Sequence, residues 1–294
     1  MHYRRLGRTE LQVSAVGIGT WQLSGVWNKQ FEQSEVEQIL ARARELGVNF
    51  IDTAECYGDH LAETLIGKAI AGQRERWIVA TKFGHNTAND LGEENYAPRQ
   101  VLEQLEASLR ALRTDYIDIY QIHSASDERF DNDALWTMLD KQVQAGKLRY
   151  LGNSVAMPNM RHQVERSTHY GISVIQTIFN AVRGGARRHI FPLAREQDLG
   201  IIARVPLASG FLGGRYQPGH AFEHGDVRSW RPDEGRDREI ARALEVLEQR
   251  PAGMAAATWA NAWCLGYQEV ATVIPGIKTV AQLEENAAAA DVAL

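Results

Sequence analysis

The sequence predicts an α/β protein built as a (β/α)8 TIM barrel, and three observations lead to that fold class. From about residue 15 onward, short runs rich in valine and isoleucine recur along the chain, as is typical of strands buried on both faces. Amphipathic stretches with helical spacing separate most of these runs. About eight such units fit into 294 residues, close to the ~250 residues of a typical barrel. Such alternation implies parallel strands joined by right-handed crossovers.

The eight predicted strands are short and apolar. In chain order they read AVGIGT, VNFID, RWIVATK, YIDIYQIH, LRYLGNS, SVIQTIF, GIIARVP and VATVIPG. Two of the stretches between them carry clear helix signals. SEVEQILARARELG begins with Ser34 and has Glu37 three residues later, which indicates a capping box, and Gly47 ends it. PRQVLEQLEASLRALR opens with Pro98, a residue that the first helical turn tolerates.

The first residues, HYRRLGRTELQV, lie outside this count and predict a short N-terminal hairpin that caps the barrel bottom. An open doubly wound sheet is the alternative fold. Against it, the stretch GIGTWQLSG has the wrong glycine spacing for the GxGxxG that follows the first strand of a dinucleotide-binding sheet. Neither an internal repeat nor a low-complexity linker is evident, so we expect residues 1–294 to form a single domain.

Composition excludes several classes of function. The net charge of −5 gives no basic field for nucleic acid. The two cysteines are far apart and lack CxxC spacing, which argues against a disulfide framework or a zinc knuckle and fits a reducing compartment. The charged first residues do not form a secretory signal, and no apolar run approaches the ~20 residues of a membrane helix. We therefore expect a cytoplasmic protein without a membrane or nucleic-acid partner.

Four ionisable side chains fall at three neighbouring strand ends. Asp52 ends the second predicted strand and Tyr57 lies in the loop after it, whereas Lys82 ends the third and His123 the fourth. Taken singly, each has a structural explanation, such as a turn cap, a rim aromatic, a solvated lysine or a core histidine. Active sites of such barrels lie at the carboxyl ends of the strands, so the four together predict one site.

These four side chains suit the delivery of one proton to a carbonyl group. The phenol of Tyr57 has an ordinary pKa of ~10, and the ammonium of Lys82 would lower that pKa. Asp52 would keep Lys82 protonated and correctly aimed, and His123 would orient the carbonyl oxygen. The set lacks an obvious nucleophile and suits no metal well. Because side chains cannot supply a hydride, a nicotinamide cofactor is implied.

The chain resembles the aldo-keto reductase superfamily. The resemblance runs in order through YRRLGRTELQVSAVGIGTW, NFIDTAECYGD, ATKFG, DYIDIYQIH, GKLRYLGNS, IIARVPLASGFLGGRY and PGIKTVAQLEENAAA, and so covers nearly the whole chain. It implies a (β/α)8 barrel and NAD(P)H-dependent reduction of aldehydes or ketones, or oxidation of sugars or alcohols. It also implies a catalytic tetrad at Asp52, Tyr57, Lys82 and His123, with Tyr57 as the general acid/base.

The same resemblance implies a set of cofactor-binding residues. They are Gly19, Thr20, Trp21, Asp52, Ser154, Gln176, Arg204, Pro206, Leu207, Ser209, Gly210, Leu212, Gly213, Lys278, Thr279, Gln282, Glu285 and Asn286. Ser154 and Gln176 match positions that hold the nicotinamide carboxamide. Many relatives have an asparagine where this chain has Val155, and Asn153 or Asn180 could substitute for it. Arg204 stands where many relatives stack an aromatic ring on the nicotinamide, and an Arg plane can also stack.

The adenosine end bears on the choice of cofactor. Lys278 and Thr279 lie at a helix start, a favourable place for a 2′-phosphate. Many relatives that prefer NADPH have an arginine at the position of Gln282, but Lys278 still supplies a cation, so we expect NADP(H) to be preferred over NAD(H). The glycine-rich segment 209–235 is long enough to be a lid, and we expect it to fold over the cofactor.

The substrate pocket is expected to involve Trp21, Trp27, Tyr57 and His123, with a small carbonyl compound or sugar as substrate. We expect no metal ion, because the glycines flanking His220 and His224 disfavour the helix that a metal-binding pair at this spacing needs. Two other functions stay open. One is a regulatory, redox-sensing module that binds the nucleotide with little turnover. The other is a metal-dependent hydrolase using Asp52 and His123, which leaves Lys82 and Tyr57 without a role. The oligomeric state is not predicted.

Overall fold

The computed structural model describes residues 1–85 and 95–292. Within them, an antiparallel hairpin precedes eight parallel strands. The hairpin is β1 Tyr3–Arg5 and β2 Gln12–Ser14. The parallel strands are β3 Ile18–Gly19, β4 Phe50–Asp52, β5 Ile78–Phe83, β6 Ile117–His123, β7 Leu148–Ser154, β8 Ile172–Ile178, β9 Gly200–Arg204 and β10 Val270–Ile274. Each parallel strand coincides with one of the eight runs predicted from the sequence.

Helices follow the strands around the outside of the sheet. They are α1 Gln33–Glu45, α2 Leu61–Ala69, α3 Pro98–Leu112, α4 Asp127–Phe130, α5 Asp133–Gln144, α6 Arg161–Glu165, α7 Ala186–His189, α8 Phe191–Glu196, α9 Asp233–Leu247, α10 Ala256–Leu265 and α11 Val280–Ala287. Short 3-10 turns include Trp21–Ser24, Ala208–Gly213 and Val227–Trp230. No helix in these two ranges is both long enough and apolar enough to cross a bilayer.

The parallel strands pair in sequence order from β3 to β10 and bend into a barrel. Parallel bridges join Val16 to Val273 and Gly19 to Gly276, which brings β10 back beside β3. The predicted (β/α)8 fold is therefore confirmed, and the doubly wound alternative is wrong. Pairing of this kind brings the carboxyl ends of all eight strands to one rim.

The hairpin covers the opposite end of the barrel, as the sequence predicts. Leu6 and Leu11 from the hairpin turn, with Val13 on β2, are buried against inward-facing strand residues such as Phe50 and Ile119. A backbone bridge from Gly7 to Leu199 fixes the turn on the strand ends. The interior is thus filled with apolar side chains at the bottom, which leaves the upper rim as the place for polar groups.

The helix signals in the sequence are partly correct. Pro98 is the first residue of α3, as expected, and Gly47 follows α1 with φ of 79°. The capping box of α1 lies two residues earlier than the sequence analysis placed it, because Glu32 and Glu35 exchange the two capping hydrogen bonds in place of Ser34 and Glu37. A carboxylate accepts the same backbone hydrogen bonds as a serine hydroxyl, so the spacing alone did not decide between the two.

Candidate active site

Strand alternation brings the polar side chains of the rim together inside the barrel. Successive side chains of a strand point to opposite faces, so Phe50 and Asp52 share the inner face of β4. On β6, Gln121 and His123 point inward by the same rule. Asp52, Gln121 and Gln176 are each almost completely buried. They form a polar layer directly above the apolar filling of the barrel.

Lys82 is the centre of this layer. Its side chain is fully buried, and its ammonium donates hydrogen bonds to Oδ2 of Asp52 at 2.7 Å and to the carbonyl oxygen of Thr53 at 2.8 Å. The third neighbour is the hydroxyl of Tyr57, at 3.4 Å from Nζ. A buried ammonium needs such partners to remain charged, so the geometry supplies a cation directly beside the phenol.

Two amides hold the other oxygen of the Asp52 carboxylate. Nε2 of Gln176 donates to Oδ1 at 2.6 Å and Nε2 of Gln121 donates to the same oxygen at 3.2 Å. Ser154 donates to Oε1 of Gln176 at 3.2 Å. These contacts fix the carboxylate that orients Lys82. Gln121 was missed in the sequence, although its position two residues before His123 on an inward-facing strand would have identified it.

Tyr57 and His123 border the open space above Lys82. The ring of Tyr57 is half-buried, is stacked near Trp21 at 6.2 Å and meets the ring of His123 edge-on at 6.3 Å. Burial lowers the pKa of His123 well below its ordinary value, and His85, Lys82 and Arg204 act in the same direction. His123 is therefore neutral at pH 7 and can donate one hydrogen bond to a substrate oxygen.

Three of the four predicted tetrad residues, Asp52, Tyr57 and His123, line one cavity of about 460 Å³, a size common for ligand sites. Most of the other predicted site residues line the same cavity. Those that line it are Gly19, Thr20, Trp21, Trp27, Asp52, Tyr57, His123, Gln176, Arg204, Pro206, Leu207, Ser209, Gly210, Gly213, Lys278, Gln282, Glu285 and Asn286. One surface thus carries Tyr57 and most of the positions that the resemblance assigns to the cofactor.

Four of the expected residues do not line the cavity. Lys82 and Ser154 are buried just beneath its floor. Leu212 packs in an apolar cluster with Ile240 and Trp259. Thr279 caps the start of α11 by accepting a hydrogen bond from the backbone of Gln282.

Neither asparagine considered as a carboxamide contact faces the cavity. Asn153 points outward from β7, where its amide donates to Gln163 at 3.0 Å. The side chain of Asn180 bonds the backbone of its own loop, accepting from the N–H groups of Val182 and Arg183. Strand alternation explains the first case, because Gly152 and Ser154 occupy the inner face on either side of Asn153.

The loop after β9 has unusual backbone geometry. Val205, Ala208 and Ser209 have positive φ values of 57°, 48° and 60°, and Gly210 follows with φ of 90°. Positive φ is rare for residues other than glycine, and for a β-branched residue it is strained. Such strain is concentrated at functional sites. The N–H groups of Ala208 and Gly210 donate to the carbonyl oxygens of Val205 and Leu207 at 3.0 and 2.9 Å, so the left-handed residues close tight turns at the edge of the cavity.

Arg204 extends from the end of β9 into the cavity wall. Its Nη2 donates to the carbonyl oxygens of Val155 and Ala156 at 3.1 and 3.2 Å. Its Nε is buried and has no hydrogen-bond partner among the described residues. Burial lowers the pKa of Arg204 from its ordinary value, but a guanidinium stays charged at neutral pH. The planar cation is thus held in the cavity wall, with its Nε–H unpaired among the described residues.

Part of segment 209–235, which was expected to be a lid, lines the cavity. Asp226 forms an antiparallel bridge with Trp27, and the N–H of Val227 donates to the carbonyl oxygen of Val26 at 2.8 Å. Arg228 is bound to Asp226 through both carboxylate oxygens and lies over the ring of Trp27 at 5.4 Å. We call residues 25–28 together with 225–228 the strap. Residues 220–224 form no helix, so His220 and His224 do not share a helical face.

Several lining residues were not predicted. They are Gln22, His85, Ser124, Ile178, Arg183, Val205, Arg215, Tyr216, Arg228, Arg231, Ala257, Ile274 and Gly276. Four of the thirteen are arginines, which together with Arg204 and Lys278 make the wall cationic and favour an anionic ligand. In the sequence, only the length of segment 209–235 indicated that its arginines lie at the site. Nothing in the sequence indicated that Arg183 would reach the cavity.

A parallel barrel with a buried lysine between a carboxylate and a phenol at its rim defines a class of oxidoreductases, and comparisons with known proteins specify the family. Residues 15–294 match the model of the aldo/keto reductase family. The chain is similar to aldo-keto reductase AKR11C1 from Bacillus halodurans in its holo form, with a TM-score of 0.81, 29% identity, and coverage of 100% of this chain and 92% of that one. The chain belongs to the aldo/keto reductase family.

Two curated relatives are similar over almost the whole chain. The uncharacterized oxidoreductase YqkF of Bacillus subtilis (strain 168) is 30% identical over 299 residues, which is 99% of this chain and 92% of that protein. The NADH-specific methylglyoxal reductase of Escherichia coli (strain K12) is 28% identical over 313 residues, 98% of this chain and 93% of that protein. Membership of this family makes the chain an oxidoreductase.

Proposed function

We propose that this protein is an NAD(P)H-dependent carbonyl reductase, able to act in reverse on alcohols or sugars, with Tyr57 as the general acid/base. The observation that carries the proposal is the buried ammonium of Lys82, 2.7 Å from Asp52 and 3.4 Å from the hydroxyl of Tyr57. A cation fixed beside a phenol favours release of the phenolic proton. Tyr57 therefore gives its proton to the alkoxide as that alkoxide develops.

His123 contacts the same substrate oxygen, and its imidazole stays neutral. Because its imidazole is neutral, it donates a hydrogen bond to the carbonyl oxygen and holds that oxygen toward Tyr57. Asp52 keeps Lys82 charged, and the amides of Gln121 and Gln176 keep Asp52 in place. In the oxidative direction Tyr57 takes the proton back from the alcohol.

A nicotinamide cofactor supplies the hydride when bound. The cavity fits such a group, because it combines a cationic wall with the left-handed backbone of Ser209 and Gly210. Arg204 would face the nicotinamide ring, Gln176 its carboxamide, and residues 207–213 the pyrophosphate. Glu285 and Asn286 would hold the adenine.

We infer a preference for NADP(H) over NAD(H). The supporting observation is the grouping of cations at the far end of the cavity, where burial first and then Arg228 and Lys29 lower the pKa of Lys278, while Asp226 raises it. Like charges held this close favour a bound anion such as a 2′-phosphate. Nζ of Lys278 is 2.5 Å from the carbonyl oxygen of Trp27, so it would have to turn toward the phosphate. The NADH-specific relative makes this inference worth testing directly.

The proposed substrate is a small carbonyl compound or a sugar. The rings of Trp21 and Trp27 meet edge-on at 5.1 Å and form an aromatic wall beside Tyr57. Such walls stack on sugars and on small aldehydes alike. We further infer that residues 1–294 act as one domain, because the hairpin supplies part of the barrel interior. A cytoplasmic location is part of the proposal, supported by two cysteines that both remain thiols.

The test is a reductase assay with a panel of aldehydes and ketones, run with NADPH and with NADH. We expect turnover, a higher kcat/KM with NADPH, and a loss of about 10²–10⁴-fold in kcat for Tyr57→Phe. The matched control is Tyr150→Phe, since the Tyr150 hydroxyl bonds the backbone of Glu10 at the other end of the barrel. Equal rates for native and Tyr57→Phe proteins would refute the mechanism. Tight NADPH binding without turnover on any carbonyl would favour the regulatory module instead.

A further inference from the structure

Three side chains of metal-binding type converge at the edge of the cavity. Cys56, His85 and His123 each offer one ligand atom, and these atoms all lie within 4.8 Å of one another. Cys56 comes from the loop after β4, His85 from the loop after β5, and His123 from the end of β6. Three neighbouring strand ends thus supply one sulfur and two imidazole nitrogens, a ligand set that suits zinc and other thiophilic divalent cations.

The distances are close to those of a coordinated ion. A tetrahedral zinc ion with bonds of about 2.0–2.3 Å holds its ligand atoms roughly 3.3–3.8 Å apart. Sγ of Cys56 already lies 3.7 Å from Nδ1 of His123. The rings of His85 and His123 are stacked at 4.3 Å with 12° between their planes. In-plane nitrogen lone pairs of stacked rings do not converge, so ion binding requires the His85 ring to rotate out of the stack.

The backbone around these ligands is held from several sides. Oε1 of Glu55 accepts hydrogen bonds from the N–H groups of Gly84 and His85 at 2.8 and 3.1 Å. Nε2 of His85 lies 2.9 Å from the carbonyl oxygen of His123. Coordination through Nδ1 of His85 would keep that hydrogen bond as outer-sphere support, whereas coordination through Nε2 would replace it.

An ion can reach these side chains through the cavity. His85 and His123 both line it, and Cys56 lies just beneath, with 3% of its surface exposed. Lys82 and Arg204 are cationic neighbours of His123 and oppose a second cation. Binding releases the thiol proton of Cys56 to solvent, and the resulting thiolate cancels one of the two metal charges.

We propose that Cys56, His85 and His123 form an inhibitory site for a thiophilic divalent cation of the zinc class, with the fourth coordination position open to the cavity. The claim that the bound ion inhibits rests on the proposed function. Coordination holds the His123 ring in one orientation, so the ring can no longer turn toward the substrate oxygen, and the cation adds positive charge at the edge of the cavity. The sequence predicts no catalytic metal, and this site is regulatory rather than catalytic.

Binding is tested without turnover by titrating Co²⁺ into the native protein and following its absorption spectrum. We expect one equivalent to produce tetrahedral ligand-field bands with a near-ultraviolet thiolate-to-cobalt band, and excess Zn²⁺ to remove both. Cys56→Ser should abolish the thiolate band, and His85→Gln should weaken Co²⁺ binding by at least about tenfold. Native protein that shows no thiolate band with Co²⁺ would overturn the proposal.

The other cysteine provides the matched control. Cys264 is fully buried on α10, and its thiol lies 3.4 Å from the carbonyl oxygen of Phe179. Cys264→Ser should therefore keep the native cobalt spectrum. Loss of the band in this variant, with the band kept in Cys56→Ser, would place the metal elsewhere and refute the assignment.

Inhibition is tested by titrating Zn²⁺ into the reductase assay, with each variant compared with its own metal-free rate. We expect native protein and Cys264→Ser to be inhibited at the same zinc concentration, and Cys56→Ser and His85→Gln to need at least about tenfold more. Equal zinc sensitivity in all four proteins would refute inhibition through this site. A cobalt spectrum as expected in a protein without reductase activity would leave the site standing and refute the proposed function instead.

Discussion

At the scale of single residues, Lys82 and Asp52 form a pair that stability alone does not explain. Both side chains are almost completely buried, and burying two charges costs more than many such pairs return. The third neighbour of the ammonium is the phenol of Tyr57. On the proposed function, the acid chemistry of Tyr57 explains why an arrangement this costly lies at the rim of the cavity.

His123 gives a pH prediction that follows from its surroundings. The unfolded chain binds a proton at this histidine near its ordinary pKa of ~6.5, whereas the folded protein, with a pKa held lower by burial, does not. Below about pH 6.5 the unfolded state therefore binds more protons, so the free energy of unfolding falls as the pH falls. His123→Asn should lose part of this pH dependence, measured by urea unfolding between pH 7.5 and pH 5.

The control is His2→Asn, because His2 is exposed near the N-terminus. Its unfolding free energy should follow the native pH dependence. A His123→Asn protein with the full native slope would contradict a lowered pKa at this residue. Ring resonances in NMR spectra give an independent reading, since the His123 ring should stay neutral well below pH 6.5.

Residue positions were predictable from the sequence where strand alternation governs them. Asp52, Lys82 and His123 end buried strands, and that register alone brought them to one rim. The same rule of strand alternation would have predicted the position of Gln121. The stacking of His85 on His123 was not, because it depends on the path of the loop after β5, which no short-range pattern encodes.

At the scale of elements, the strap borders the cavity, and on the proposed function it would control how the cofactor enters and leaves. Asp226 pairs with Arg228 through both oxygens, at 2.8 and 2.6 Å, and Arg228 reaches the carbonyl oxygen of Ser209 on the opposite side at 3.4 Å. The strap thus joins the loop after β3 to the loop after β9. A ligand lying beneath it leaves only when these contacts open.

Asp226→Ala should therefore speed the release of NADPH. Removing the carboxylate frees Arg228 and weakens the bridge to Trp27, so we expect the dissociation rate constant to rise by roughly tenfold, a change of about 1.4 kcal/mol. Stopped-flow measurement of bound NADPH fluorescence provides the rate. Glu234→Ala is the matched control, because Glu234 forms a long, exposed pair with Arg238 at 3.8 Å. Equal release rates for Asp226→Ala and native protein would contradict a closing role for the strap.

Element identity was easier to predict than element boundaries. All eight strands and the hairpin are where the apolar runs placed them, because buried strands leave a strong compositional signal. The start of α1 was displaced by two residues, since several polar side chains there can serve as caps. The length of segment 209–235 was the only sign in the sequence that it lies at the cavity, and the bridge of Asp226 to Trp27 depends on long-range contacts.

At the scale of the whole molecule, the hairpin and the barrel share one interior. Leu6 is completely buried at the bottom of the barrel, and Gly200 allows the close approach of the hairpin, because a Cβ there would lie 2.7 Å from Leu6. The polar layer that carries the chemistry rests on this apolar filling. The stability of the barrel should therefore depend on a residue that lies outside every barrel strand.

Leu6→Ala should lower the free energy of unfolding by about 2–5 kcal/mol, as large-to-small substitutions in close-packed interiors do. Chemical denaturation measures the loss. Leu61→Ala is the matched control, because Leu61 is 38% exposed at the start of α2, and it should cost far less. Similar losses in the two variants would show that the hairpin does not fill the barrel.

The most direct test of the account is single-turnover reduction of an aldehyde by NADPH-loaded protein, comparing native protein with Lys82→Met. Because Lys82 lies beneath the cavity floor, NADPH affinity should change little, which also verifies folding. The rate of NADPH oxidation should fall about 10²-fold or more, because Tyr57 loses the cation that favours release of its proton. A Lys82→Met protein that binds NADPH normally and oxidises it at the native rate would contradict the central claim.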